Sequence, residues 1–453
     1  MKYSYEGKLM KKFIKKFLLV ILVFIIGLGV YYKIDNDNSK KFLHEIVLEQ
    51  IGSEIKYKYL LKNPNKVSLN LTKKEKLEDF DELVKFLDEN FLYMDYLEKE
   101  YDIKNFEKKL RKALKVSNSD LEFIYILNSF FAKTKNIAHL NGFLDSLSYE
   151  SYLEMYSWYK ENFSFGKFNY EVLNNEISAQ NYPIIDKICG NLTSYYNKDE
   201  DSPFNTPEEV IEYKFLNKDT AYLSVKSLDF HGDRAEKMID RVYKNFYSKL
   251  GNYKNLIIDI RYNGGGNSKF GEDLLITPIL KENISYDTVF VYLSSKYNTD
   301  YLESYGFVKG IFEEKNKDYL KKFENLDKSI LDRDIKVIKL TDEIYMNENL
   351  PKFNGKIYLL VDNHVYSSAE RITYIYKLLN LGTIVGNNTL GDGLGIDPTL
   401  KRLKNSGIII RYSLLYGLNP DGSSNGIYGT KPDIDVGNKD ALEVVMELIK
   451  KDA

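Results

Sequence analysis

Short apolar runs alternate with amphipathic segments from about residue 205 to the end of the chain. The apolar runs that predict strands are TAYLSVKSL (220–228), NLIIDIR (255–261), KIYLLVD (356–362) and GTIVG (382–386). A helix is predicted after the first run, over 234–250, and another after the third. Strands that alternate with helices pair mainly in parallel, because each helix returns the chain to the end of the sheet at which the previous strand began. The sequence therefore predicts an α/β core over residues 205–453.

Ser367 lies where one of these strands gives way to a helix, in the stretch KIYLLVDNHVYSSAERITYIYKLL (356–379). The first turn of a helix has unpaired N–H groups and the positive end of the helix dipole, and both favour an oxyanion. Serine is also a preferred N-cap residue, and on this stretch alone capping is the more common role. Two interpretations therefore follow for Ser367, a helix cap and a nucleophile.

A second stretch, DIRYNGGGN (259–267), runs from a buried strand into three glycines. Glycines present backbone N–H groups without a side chain in the way, which suits an oxyanion hole or a phosphate. Neither GxGxxG nor GxxxxGK[ST] is present, so the phosphate interpretation is weak. A tight turn without a binding role is the alternative.

The N-terminal residues predict a membrane anchor. Six lysines precede the uncharged run FLLVILVFIIGLGVYY (17–32), and no small-x-small cleavage site follows it. A basic flank stays on the cytoplasmic side, so an uncleaved signal anchor should place the rest of the chain outside the cytoplasm. We therefore expect a single-pass protein of the cell membrane whose catalytic part is extracytoplasmic.

The rest of the chain divides by its patterns. Thr72 with Glu75 and Ser119 with Glu122 have the spacing of capping boxes, each opening an apolar helical pattern. The predicted units are a basic flank and transmembrane signal anchor (1–33), a stalk (34–71), a helical N-terminal domain (72–145), a connecting region (146–204) and the core (205–453).

Composition excludes several classes of function. The formal net charge is −2, from 64 basic and 66 acidic residues, whereas nucleic-acid binding calls for a basic surface. Cys189 is the single cysteine, so no internal disulfide forms and no Cys-based zinc site is expected. No cofactor or metal ion is predicted. Oligomeric state is left open by the sequence.

Four motifs, in order and spacing, resemble the S41 family of tail-specific or C-terminal processing serine peptidases. They are DIRYNGGGN (259–267), YSSAE (366–370), VGNNTLGDG (385–393) and YGTKPDIDV (428–436). The helical 72–145 region is similar to that of the tricorn-like and interphotoreceptor-retinoid-binding-like branch. The resemblance implies a ClpP/crotonase-like core of stacked β-β-α units, preceded by a small helical domain.

The resemblance also implies roles for individual residues. The family's nucleophile stands three positions before the glutamate of SxxE, which is Ser367 here, and Ser368 would donate its backbone N–H to the oxyanion hole. A second donor would come from the glycine loop, either Gly264 or Gly265.

The base is implied by the branch. Enzymes with a Ser-Lys dyad carry their lysine in a GKG segment, and the matching Gly391-Asp392-Gly393 has no lysine, so that dyad is excluded. The other branch uses a histidine that ends the helical domain. His139, in KNIAHL (135–140), lies at that place and is implied as the base.

The third member of the family's triad is missing from its usual position. Relatives carry a glutamate three residues before the glycine of GTxPD, where this chain has Gly426. Asn425 is the expected substitute that orients His139, and Asp392 and Asp421 are carboxylate alternatives. Glu370 is expected to secure the start of the Ser367 helix as a capping-box partner.

These features predict a membrane-anchored extracytoplasmic serine endopeptidase that hydrolyses peptide bonds through an acyl-enzyme. Its partners would be a protein or peptide substrate and the membrane. The alternative is a non-catalytic binding protein on the same fold, for a hydrophobic ligand or a peptide, because Gly426 replaces the expected glutamate. A crotonase-like acyl-CoA enzyme is disfavoured by the export signal, since CoA chemistry is cytosolic.

Overall fold

The computed structural model describes residue 29 and residues 32–52, 68–189, 207–305 and 312–451. Almost all of the run 17–32, for which a membrane anchor is predicted, lies outside these ranges. None of the helices within them combines the length and the apolar character needed to cross a bilayer.

Residues 32–51 form a helix, α1, and the part of the predicted stalk that they include is not an extended segment. Its apolar side chains Leu43, Ile46, Val47 and Ile51 recur at helical spacing and are buried in the main hydrophobic core. Gln50 fixes the end of α1 by donating to the Tyr125 carbonyl oxygen at 3.0 Å. The prediction of a stalk over 34–71 was therefore wrong for this stretch, because its apolar stripe has a helical surface to pack on.

Helices dominate the described chain before residue 190. They are α2 (Lys73–Asn90), α3 (Met94–Tyr101), α4 (Ile103–Val116), α5 (Asp120–Thr134), α6 (Ser146–Asn162), α7 (Ser164–Leu173) and α8 (Glu176–Cys189), with a two-residue strand β1 (Asn141–Gly142). Both predicted capping boxes are present, at the starts of α2 and α5. A 3₁₀ turn, Ile137–His139, ends the α5 segment.

The later part of the chain is a mixed α/β fold, as predicted. Its helices are α9 (Pro207–Val210), α10 (Gly232–Asn245), α11 (Ser268–Leu275), α12 (Lys296–Ser304), α13 (Ser368–Leu379), α14 (Asn425–Tyr428) and α15 (Ala441–Lys451). Its strands are β2 (Ile211–Phe215), β3 (Thr220–Val225), β4 (Asn255–Asp259), β5 (Ile284–Leu293), β6 (Phe312–Lys315), β7 (Ile335–Ile344), β8 (Lys356–Val361), β9 (Thr383–Gly386), β10 (Thr399–Arg402), β11 (Ile409–Tyr412), β12 (Tyr416–Leu418) and β13 (Ile434–Asp435).

A six-stranded sheet with the order β13-β9-β8-β4-β3-β2 forms the centre of the α/β part. Its strands pair in parallel except β2, which is an antiparallel edge strand. In the middle of the sheet Ile257 lies opposite Tyr358, and Leu359 lies opposite Ile384. β4 and β8 are parallel neighbours, so their carboxyl ends lie side by side. The glycine loop after β4 therefore lies next to the Ser367 turn after β8.

Two smaller antiparallel sheets complete the fold. One has the order β12-β5-β7-β6 and the other the order β1-β11-β10. In the second, Asn141 of the helical region lies opposite Arg411 of the α/β part. One continuous cluster of buried apolar side chains also runs from α1 to β12. The helical region is therefore packed firmly against the α/β part, and this packing positions the 3₁₀ turn that carries His139.

Candidate active site

Ser367 occupies a strained backbone position between β8 and α13. Its φ and ψ angles are 54° and −124°, a combination that residues other than glycine rarely adopt. It stands at the N-cap position of α13, yet its side chain makes no capping hydrogen bond. The capping interpretation is therefore wrong. A strained serine between a strand and a helix resembles the sharp turn that exposes the nucleophile in many hydrolases.

The glycine loop lies directly against this turn. A Cβ atom added to Gly265 would stand 3.0 Å from the Ser367 Cβ and 2.9 Å from the Tyr366 carbonyl oxygen, so only glycine fits. The Ser367 N–H donates to the Gly391 carbonyl oxygen at 3.1 Å. The turn is thus held between the glycine loop on one side and the 391–393 segment on the other.

Ser368 begins α13 and is fixed by its own hydroxyl group, which donates to the Gly266 carbonyl oxygen at 2.6 Å. Its backbone N–H makes no hydrogen bond with any described residue, as expected in the first helical turn. The Gly265 N–H, by contrast, donates to Asn263 Oδ1 at 2.9 Å. Gly266 is the loop glycine that lines the cavity beside Ser367.

His139 is held in a left-handed backbone conformation at the end of the 3₁₀ turn, with φ of 56°. Its side chain is buried, with 7% of the residue exposed. The backbone N–H donates to the Tyr366 hydroxyl oxygen at 3.1 Å, and the two rings lie 4.8 Å apart at a 38° tilt. Tyr366, the residue just before Ser367, therefore links the base candidate to the turn that carries Ser367.

Asp392 contacts the imidazole of His139. Its Oδ2 meets His139 Nδ1, and it also accepts a hydrogen bond of 3.1 Å from the Tyr366 hydroxyl. Ser413 Oγ lies 3.2 Å from the same ring nitrogen. A carboxylate accepts but does not donate, so Nδ1 carries the proton and Nε2 keeps its lone pair. This is the tautomer in which a histidine base accepts a proton from a serine.

Asn425 and Asp421 are not beside His139. Asn425 Nδ2 donates to Glu370 Oε1 at 2.6 Å, and its Oδ1 accepts from the Gly393 N–H at 2.9 Å. Asp421 is exposed and binds Ser423 and Asn325. Among the three polar candidates for orienting His139, the structure brings only Asp392 into contact with the ring.

At Gly426, where members of the family carry a glutamate, the space for a side chain is occupied by Tyr93. A Cβ atom at Gly426 would stand 2.5 Å from the hydroxyl oxygen of Tyr93, a buried side chain from the helical region. A longer side chain at 426 therefore has no room. The carboxylate that contacts the histidine comes instead from the 391–393 segment.

Glu370 does not act as the expected capping-box partner. Its Oε1 accepts from Asn425 Nδ2 and from Thr430 Oγ1, both at 2.6 Å, and Oε2 has no hydrogen-bond partner among the described residues. Burial raises the pKa of this carboxyl group to about 7. Glu370 therefore ties α13 to the 425–430 turn from inside the protein.

The surroundings also set the charge state of the histidine. Burial lowers the pKa of His139 and nearby Arg411 contributes in the same direction, while the Asp392 carboxylate opposes them. Burial raises the pKa of the Tyr366 hydroxyl well above its usual range, so Tyr366 stays protonated and able to donate. The result is a neutral imidazole with a fixed orientation.

Ser367, His139 and Asp392 line one cavity of about 1100 Å³. His231 also lines this cavity, and its Nε2 lies 3.0 Å from Asp229 Oδ1. His364 does not line it, and its Nδ1 lies 3.3 Å from Asp362 Oδ2. Within the described ranges, no group of three or more His, Cys, Asp or Glu side chains is arranged to hold a metal ion. The arrangement suits nucleophilic catalysis by a serine with a histidine base.

Sequence reasoning did not identify Tyr366, Ser413 or Arg411 as parts of this site. Tyr366 directly precedes Ser367 in the YSSAE motif, and this position could have identified it as a residue of the site. Arg411 belongs to β11 and Ser413 directly follows that strand, and their approach to His139 depends on the pairing of β11 with β1. No local pattern marks them.

Comparison with known proteins connects this geometry to a family. Residues 219–436 match peptidase family S41. Over 198 residues, 44% of this chain, the sequence is 21% identical to the tricorn protease of Thermoplasma acidophilum, and the alignment spans 13% of that protein.

Two solved structures cover most of the chain. A crystal structure of a protein from Parabacteroides merdae is 17% identical and covers 84% of this chain and 97% of its own, with a TM-score of 0.49. Mature CPAF is 12% identical and covers 80% of this chain and 93% of its own, also with a TM-score of 0.49. Residues 219–436, which contain Ser367 and Asp392, belong to peptidase family S41.

Proposed function

We propose that this protein is a serine endopeptidase that hydrolyses peptide bonds through an acyl-enzyme, with Ser367 as nucleophile, His139 as base and Asp392 as the orienting carboxylate. Membership of residues 219–436 in an S41 peptidase family supports a serine peptidase. The observation that carries the residue assignment is the contact of Asp392 with His139 Nδ1, in the cavity that Ser367 also lines. The core would be of the ClpP/crotonase type.

In the first step the Ser367 Oγ attacks the carbonyl carbon of the peptide, and its proton passes to His139 Nε2. The carbonyl oxygen becomes an oxyanion, for which the Ser368 N–H supplies a donor. Collapse of the tetrahedral intermediate breaks the C–N bond, and His139 gives its proton to the leaving amine. This leaves an ester between Ser367 and the acyl part of the substrate.

In the second step water attacks the ester. His139 takes a proton from the water, and Ser367 regains its proton when the acid product leaves. Asp392 holds the imidazole in the tautomer that both steps need and stabilises the imidazolium that forms in each. Tyr366 and Ser413 hold the Asp392–His139 pair in place.

A non-catalytic binding protein is the alternative, and its support was the absence of a glutamate at position 426. The carboxylate of Asp392 at His139 Nδ1 weakens that argument, because an orienting group is available from another segment. Hydrolysis of a peptide library by the wild type and the Ser367→Ala variant separates the two functions. We expect products from the wild type alone. Equal product formation by both would overturn the role of Ser367.

We also propose that the run 17–32 anchors the chain in the cell membrane with residues 34–453 on the extracytoplasmic side. Its support is the apolar run with a basic flank before it. An alkaline phosphatase fused to the C-terminus should be active, since this reporter folds outside the cytoplasm, and the chain should stay in membranes after a carbonate wash. An inactive reporter, or release by carbonate, contradicts the proposal.

A further inference from the structure

One wall of the active-site cavity is aromatic and open to solvent. It is built by α6 and α7 and the turn between them, and its members are Met155, Trp158, Tyr159, Phe163 and Phe165. Trp158 is 60% exposed and Phe163 46% exposed. Large aromatic side chains usually avoid solvent, so two that share a cavity with a nucleophile candidate point to a ligand.

The rings of this aromatic wall form a continuous surface. The Trp158 and Phe163 centroids are 6.0 Å apart, and Phe163 stacks on Phe165 at 5.4 Å. Phe165 in turn stacks on Tyr305 at 4.4 Å, which joins the wall to the α/β part. The surface is therefore supported from behind by Phe165 and Tyr305, while Trp158 and Phe163 keep free faces.

Several charged side chains around the cavity already have partners. Arg371 binds Glu272 and Asp342, Lys269 contacts Asp273, and His231 binds Asp229. On the other side of the cavity, Leu394 and Ile396 follow Asp392 closely and add apolar surface. Glu154, Asp397 and Arg411 also line the cavity. A ligand would therefore meet aromatic and aliphatic surface beside these charged groups.

We propose that Trp158 and Phe163 form the subsite that accepts a large apolar side chain of the peptide substrate, such as phenylalanine or leucine. This inference rests on the proposed function, because the ligand is taken to be the peptide that Ser367 cleaves. Rigid aromatic rings gain contact area at a small cost in conformational entropy, and tryptophan is enriched at binding hot spots. Both residues precede residue 219, so this selectivity would come from outside the S41-matched segment.

Trp158 gives the test its own signal, because it is the only tryptophan of the chain. The full-length Ser367→Ala variant in lipid nanodiscs is titrated with two alanine-serine peptides that differ in one central residue, phenylalanine or alanine. We expect the phenylalanine peptide to shift Trp158 emission to shorter wavelength in a saturable manner, since binding would bury the indole. The dissociation constant of the alanine peptide should be at least about tenfold higher than that of the phenylalanine peptide.

Two further variants on the Ser367→Ala background decide the assignment. Phe163→Ala should weaken binding of the phenylalanine peptide by about tenfold. Leu147→Ala, which removes an exposed apolar side chain from the same helix α6 but outside the cavity, should leave it unchanged. Equal affinity for the two peptides, or no effect of Phe163→Ala, would overturn the subsite. Failure of the proposed function would appear separately, as absence of peptide hydrolysis by the wild type.

Discussion

The Asp392 carboxylate contacts His139 Nδ1 in the interior of the protein, joining the end of the helical region to a turn of the S41 segment. This contact fixes which ring nitrogen is protonated. It also provides the carboxylate that the sequence lacks at position 426.

Replacing Asp392 by asparagine should cause a large loss of turnover. The amide would stabilise the wrong tautomer of His139, and the analogous change in another serine peptidase costs about ten-thousand-fold in turnover. Peptide hydrolysis by Asp392→Asn measures the effect. Asp421→Asn is the matched control, because Asp421 is exposed and binds Ser423 and Asn325. Equal loss in both variants would argue against a specific role for Asp392.

The Tyr366 hydroxyl should act as a positioning group. It donates to Asp392 and accepts from the His139 N–H, so Tyr366→Phe removes both bonds and keeps the ring. Without the hydroxyl, Asp392 attracts the imidazolium more strongly, so the pKa of His139 should rise. We expect the acid limb of the pH profile of kcat/KM to move to higher pH.

Tyr345→Phe is the control for this change, since Tyr345 is exposed and its hydroxyl binds Glu343. Its profile should match that of the wild type. If Tyr366→Phe lowers the maximum of kcat/KM and leaves the midpoint of its acid limb unchanged, Tyr366 has a purely structural role.

The pH dependence of the wild type should report His139 directly. Burial lowers the pKa of His139, so the neutral base persists to lower pH than in an ordinary histidine. Activity should therefore fall only as pH drops below about 6.5, the usual histidine value. A pH profile of kcat/KM gives the midpoint. A midpoint above neutral pH would mean that another group, or a differently placed histidine, is the base.

Glu370 should make stability depend on pH. Its pKa in the folded protein is raised from 4.5 to about 7, so the folded state binds this proton more tightly than the unfolded state. That contribution to stability is present below the ordinary glutamate range and is lost as pH rises through about 7. Its size is at most about 3 to 4 kcal/mol, since one pKa unit corresponds to about 1.4 kcal/mol.

Glu370→Gln keeps an acceptor for Asn425 and Thr430 and cannot ionise. Its Tm should change less with pH than that of the wild type between about pH 5 and pH 8. Parallel Tm curves for the two proteins would show that Glu370 does not titrate as described.

A side chain at position 426 should destabilise the fold. Gly426→Ala would place a Cβ atom 2.5 Å from the Tyr93 hydroxyl oxygen, and overpacking of this kind costs about 1 to 3 kcal/mol. Combining it with Tyr93→Phe removes the oxygen and should recover part of the loss. Denaturant unfolding of the two single variants and the double variant measures the coupling. Strict additivity would mean that Tyr93 is not the obstacle.

The sequence predicted the parts of this account that local patterns encode. The parallel α/β core followed from alternating strand and helix patterns, and the two capping boxes from their spacing. Ser367 and His139 were singled out by motif, and Asp392 was one of two carboxylate alternatives to Asn425. The structure places Ser367, His139 and Asp392 on one cavity.

What the sequence did not predict depends on contacts between distant segments. Tyr93 fills the space at Gly426, and Ser413 reaches His139, only after the helical region has packed on the α/β part. Helix α6 carries aromatic residues on several faces, so its hydrophobic period is weak. In α1 the apolar residues do recur at helical spacing, but the charged composition of the segment led to the prediction of a stalk.

The most direct test of the central claim is the mass-spectrometric identification of the residue that a fluorophosphonate modifies in the native full-length protein. A serine with an activated hydroxyl group reacts, and a helix-capping or binding-site serine does not. We predict modification of Ser367 in the wild type and its loss in His139→Ala. An unmodified wild type, or modification of Ser367 that is unaffected by His139→Ala, would contradict a nucleophile activated by that histidine.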